Sequence, residues 1–79
     1  MITVRLFAAL RELAGAGTVE TEGRTVGDVA TSLGARYGER FASIVDVSSF
    51  VVNGERASSG TPIAEGDEVA ILPPVSGGA

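Results

Sequence analysis

The chain has no cysteine, histidine, tryptophan or lysine. Those absences exclude most catalytic apparatus. Without Cys or His there is no thiolate nucleophile and no ordinary zinc site, and without Lys there is no Schiff base. Carboxylates are left for acid–base work, and no pair of them is spaced as more than surface solvation. The chain is therefore not expected to be an enzyme on its own. Long apolar runs are also missing: stretches such as Phe50-Val51-Val52 fall far short of the roughly 20 residues that span a bilayer. The opening Met1-Ile2-Thr3-Val4-Arg5 lacks the basic-then-apolar order of an export signal, so no membrane contact and a cytoplasmic location are expected. Basic charge is scarce, with ten acids against six arginines and a net charge of −4. That balance argues against nucleic acid, whose phosphates need a basic stripe. It suits either solubility or a protein partner with a basic docking surface.

What is present fits one small domain, since 79 residues support a single core. Ile2, Val4 and Leu6 alternate with Thr3, Arg5 and Phe7, the period of a half-buried strand. Ala8 to Ala14 is made of strong helix formers and stops at Gly15, predicting a turn or two of helix with Leu10 and Leu13 pointing inward. Thr18 to Glu22 alternates again and reads as a short strand. Thr25 and Asp28 have the spacing of a capping box, and Val26, Val29, Ala30, Leu33 and Tyr37 follow at helical spacing, predicting the main helix. Gly34 inside it costs about 1 kcal/mol against Ala, while Gly38 suits a left-handed stop. Phe41, Ile44, Val45 and Val47 fit no single period, so residues 39–49 read as a connector with core anchors and room for one helical turn.

Phe50-Val51-Val52 followed by Asn53-Gly54 predicts a tight hairpin returning through Glu55-Arg56-Ala57. The turn-rich segment from Ser58 to Asp67 has one apolar anchor, Ile63, and leads into a last strand over 68–72. Pro73-Pro74 cannot donate ladder hydrogen bonds. It ends the strand and frees a flexible tail, 75–79, from a domain spanning 1–74. One sheet with one helix across it is the economical layer arrangement for such a chain. The slender ending Val75-Ser76-Gly77-Gly78-Ala79 is suited to entering a narrow channel in another protein. A carboxylate presented there is inert until ATP converts it to an acyl-adenylate. A sulfur nucleophile can then displace AMP and leave a thiocarboxylate, ionised and nucleophilic at neutral pH.

The ending Gly66-Asp67-Glu68-Val69-Ala70-Ile71-Leu72-Pro73-Pro74-Val75-Ser76-Gly77-Gly78, with Phe7-Ala8-Ala9-Leu10-Arg11-Glu12-Leu13-Ala14-Gly15 and Val52-Asn53-Gly54-Glu55, resembles the MoaD/ThiS family of ubiquitin-like sulfur carriers. It is most similar to the small subunit of molybdopterin synthase. The resemblance implies an α+β, β-grasp (ubiquitin-like) fold: one mixed sheet, first and last strands side by side, with the main helix packed across it. It also implies that an ATP-dependent, ubiquitin-activating-like adenylating enzyme acts on Gly78, the thiocarboxylate position, with Gly77 before it. No cofactor is bound by the chain itself. The large synthase subunit then uses the sulfur to convert cyclic pyranopterin monophosphate in molybdenum cofactor biosynthesis. Phe7, Arg11, Leu72, Pro73, Pro74, Val75 and Ser76 fall at positions similar to the family's partner-binding surface and tail. Sulfur carriers of thiamine or cysteine biosynthesis share the fold, and a ubiquitin-like protein modifier is a further alternative. One departure is Ala79, which follows the second glycine. It moves the free carboxylate by up to about 3.5 Å, enough to spoil a near-attack geometry. Trimming as in ubiquitin precursors, a non-native added residue, and a chain that does not operate as a carrier in this form all stay open.

Overall fold

A computed structural model describes residues 1–74. In chain order the elements are β1 (Ile2–Leu6), α1 (Ala8–Ala14), β2 (Thr18–Thr21), α2 (Val26–Tyr37), α3 (Glu39–Asp46), β3 (Ser49–Val52), β4 (Glu55–Ala57) and β5 (Glu68–Leu72). The five strands form one sheet in the order β2-β1-β5-β3-β4. β1 runs parallel to β5, with Val4 opposite Val69 and Leu6 opposite Ile71, and the other pairings are antiparallel. The sheet is therefore mixed, and its first and last strands lie at its centre, as the β-grasp arrangement requires.

The alternation in β1 sets the core. Ile2, Val4 and Leu6 are buried and pack with Val69 and Ile71 of β5 against Leu10, Val26, Val29, Leu33, Phe41 and Val45 of the helices. α2 begins where its sequence predicts: the Thr25 side chain accepts from the Asp28 backbone N–H at 3.1 Å and the Asp28 carboxylate accepts from the Thr25 N–H at 3.2 Å. Both bonds satisfy donors that a helix start leaves unpaired. The turn between β3 and β4 is tight because Asn53 and Gly54 both take positive φ, 49° and 87°, which matches the twist of a two-residue hairpin. Asn53 also reaches β5, donating to the Asp67 carboxylate at 3.0 Å and accepting from the Glu68 N–H at 3.0 Å. Asp67 accepts a second bond from the Ala64 N–H at 2.8 Å. That backbone bond first, and the Asn53 amide second, hold the Asp67 carboxyl below its ordinary pKa.

Three expectations are corrected. The segment 39–49 is not a connector with a single turn but contains a helix of eight residues, α3. Phe41 and Val45, one helical turn apart, are both buried, while Val47 lies past the helix end and is 65% exposed. Phe41, Ile44 and Val45 share one helical face against the core, and Val47 falls outside that period. Leu13 does not point inward. Leu10 is fully buried and Leu13 is 38% exposed, because Ala14, four residues after Leu10, is the one that packs against the core. Gly38 has φ 102° and ψ 178°, positive but extended rather than left-handed helical. It turns the chain from α2 directly into α3 instead of ending a helix into a loop. Among the described residues no helix is long and apolar enough to cross a membrane.

Candidate functional site

The point at which β5 ends organises the site. Pleating sends Val69 and Ile71 into the core, so Glu68, Ala70 and Leu72 stand on the opposite face, which no helix among the described residues covers. The pairing register then fixes every neighbour on that outer face. Arg5, Ala70, Val51 and Arg56 lie in one row across β1, β5, β3 and β4, with Thr18 beyond Arg5 on β2. Thr3, Glu20 and Glu68 form the row toward the start of β5. Leu72, opposite Ser49, forms the row toward its end. Pro73 and Pro74 follow directly, and their rings forbid further ladder bonds. Leu72, Pro73 and Pro74 line a groove of about 520 Å³ together with Ser49, Val51 and Arg56.

The residues expected to bind a partner do not all converge there. Phe7 keeps an extended backbone, φ −131° and ψ 154°, so it continues the alternation beyond Leu6 and is 38% exposed. Leu6 pairs with Ile71, which sets Phe7 and Leu72 at the same end of adjacent strands. Arg11 is exposed on α1. Its side chain lies along the turn after that helix, its Nε 3.5 Å from where a Cβ on Gly17 would sit, and it does not line the groove. Val75, Ser76, Gly77 and Gly78 lie outside the described residues. Arg56, Ser49 and Val51 belong to the groove although the sequence reading did not single them out. A two-residue turn at Asn53-Gly54 fixes Val51 opposite Arg56, so that hairpin contained the signal. Among the described residues no cluster of His, Cys, Asp or Glu could hold a metal ion.

A five-stranded mixed sheet with parallel first and last strands, helices on one face only and a chain that leaves the sheet at a Pro-Pro stop define a ubiquitin-like β-grasp protein. The family model described as "ThiS family" matches residues 4–78, and the chain belongs to that family of ubiquitin-like sulfur carriers. The matched stretch runs through Gly77 and Gly78 and leaves Ala79 outside it. Small archaeal modifier protein 1 of Haloferax volcanii is 40% identical over 94% of this chain and 97% of its own length. Among solved structures, a putative molybdopterin converting factor subunit 1 from Pyrococcus furiosus is 32% identical, with TM-score 0.80 over 94% of this chain and 97% of that one. CysO of Mycobacterium tuberculosis is 30% identical, with TM-score 0.81 over 95% of this chain and all of that one.

Proposed function

We propose that this protein is a carried reagent rather than a catalyst: the sulfur-donating small subunit of a molybdopterin synthase, acting through the carboxyl group of Gly78. The observation that carries the reading is the run Pro73-Pro74-Val75-Ser76-Gly77-Gly78 at the end of a family match that stops at Gly78. Hydrolysis of the Gly78–Ala79 peptide bond frees the required carboxylate. An adenylating enzyme joins that carboxylate to the α-phosphate of ATP and releases pyrophosphate. The terminal sulfur of a persulfide then attacks the acyl carbon and AMP leaves, giving an acyl disulfide; a thiol attacks the persulfide's own sulfur in that bond, forms a disulfide with it, and releases the thiocarboxylate. ATP is consumed by the enzyme and no cofactor resides on the carrier. The large subunit supplies the active site in which the sulfur reaches cyclic pyranopterin monophosphate. Phe7, Leu72 and the two prolines form the contact zone beside the chain's exit from the sheet, with Arg11 a further contact outside the groove. An uncovered apolar strip beside the chain's exit from the sheet is what such docking needs. The cytoplasm, where ATP and persulfide donors meet, is the site of action.

A second reading has its own support in the 40% identity to a small archaeal modifier protein: the same activated Gly78 forms isopeptide bonds with lysines of other proteins. Having no Lys, this chain would modify targets singly, without branching through its own side chains. Intact mass of the protein from its native host, before and after incubation with ATP, a sulfur source and the activating enzyme, separates the readings. Loss of Ala79 and a gain of about 16 Da, oxygen exchanged for sulfur, supports the carrier. Adducts of the chain on lysines of other proteins support the modifier, and an unchanged mass overturns both.

A further inference from the structure

The net charge of −4 suggests a basic partner, but on the outer sheet face the charged row nearer the end of β5 is cationic. Two of the six arginines, Arg5 and Arg56, stand on the outer sheet face in the same row. Both are exposed, and among the described residues neither enters an ion pair or a side-chain hydrogen bond. Three strand spacings separate them, about 14 Å between backbones. The floor between them is Ala70 and Val51, each half-buried. Leu72 lies one pleat repeat, about 7 Å, nearer the tail. The acids of this face, Glu20 and Glu68, occupy the row on the far side. The other eight acids lie on helices, in the segments between elements or, like Glu55, at an inward-parity position. From the tail inward, the face therefore reads apolar, cationic, anionic.

We propose that the ATP-dependent activating enzyme carries, where it receives this chain, an apolar ridge flanked by carboxylates, and that Arg5 and Arg56 pair with those carboxylates to set the register of docking. This rests on the carrier reading, and it names the partner's surface chemistry. An apolar ridge seated on Ala70, Val51 and Leu72 gives contact area without direction along the strands. Two cations borne on strands about 14 Å apart, with anions one row behind them, give direction. A carboxylate pair placed one row too far meets Glu20 and Glu68 and is repelled. Opposite charges at an interface rim mainly steer encounter and fix register, so association weakens as salt rises.

The test uses the chain ending at Gly78 and the ATP-dependent activating enzyme of the same host, read by ATP–pyrophosphate exchange across a salt series. Arg5→Glu with Arg56→Glu is compared with Arg24→Glu and Arg40→Glu, two exposed arginines off this face whose reversal changes net charge equally. The expected result is a loss of roughly tenfold or more in exchange efficiency for the first pair, with a flattened salt dependence, and little change for the second. Should the first pair fail to fold by thermal unfolding, Arg5→Gln with Arg56→Gln takes its place, with a smaller loss of the same kind. Equal losses in both pairs, or none in the first, overturn the proposal while leaving the carrier reading standing. Failure of the unaltered chain to support exchange overturns the carrier reading on which the proposal rests.

Discussion

Ala8 opens α1 with φ 51°, a left-handed conformation that costs an L-residue with a Cβ about 1 kcal/mol. The reason is local: Phe7 is still extended, and the chain must turn from strand to helix within one residue to send Leu10 into the core. Replacing Ala8 by Gly removes the Cβ penalty and adds a similar entropy cost in the unfolded chain. Ala8→Gly is expected to leave stability within about 0.5 kcal/mol, whereas Ala9→Gly, at an ordinary helical position, costs about 1 kcal/mol. Thermal unfolding of the two variants side by side decides it; an equal loss in both denies that strain is stored at Ala8. Gly54 answers a similar demand in the hairpin, where φ 87° suits a residue without a side chain. At Asn53 the αL conformation is tolerated because Asn is among the residues that visit it, and its amide is spent on Asp67 and Glu68.

Helix pairs show why Gly34 is kept despite its low helix propensity. A Cβ on Gly34 would lie 3.1 Å from the Cβ of Ala42, so glycine allows α2 and α3 to approach closely. Ala42 belongs to α3, the element whose existence was least legible in the sequence. Gly34→Val forces the two helices apart and is expected to destabilise by about 1–3 kcal/mol through overpacking, measurable by urea unfolding. A stabilised Gly34→Val would mean that the α2–α3 contact has room to spare. The sheet edges carry a complementary device. On β2, Arg36 of α2 donates to the Glu20 carbonyl at 3.1 Å, occupying an acceptor that an edge strand would otherwise offer to another chain. β4 limits its own exposure by being only three residues long.

At the scale of the molecule, every buried apolar residue among those described lies between Ile2 and Ile71, while the proposed chemistry falls on residues that follow them in the chain. Removing Gly77 to Ala79 is expected to leave the unfolding temperature unchanged while abolishing activation by the adenylating enzyme. A large drop in that temperature would give the tail a structural role. The same division explains what could be read in advance. Alternation in 2–7, the Thr25-Asp28 box, the Asn53-Gly54 turn and the Pro-Pro stop are local signals, since each follows from the conformations open to a few neighbouring residues. The chemistry of the double glycine is local in the same sense: it depends on an unhindered carboxyl group and not on a pocket. These elements and the candidate reactive end are thus legible in the order of residues alone. Strand adjacency is not local, because β1 meets β5 only when loop closure across some 60 residues is offset by burying Val4, Leu6, Val69 and Ile71 in one core. Only the tertiary structure, through that pairing, aligned Arg5 with Arg56 and gave an acidic protein a cationic row on its outer sheet face. It also gathered Phe41 and Val45 into a helix, since what orders so short an amphipathic segment is the face it buries.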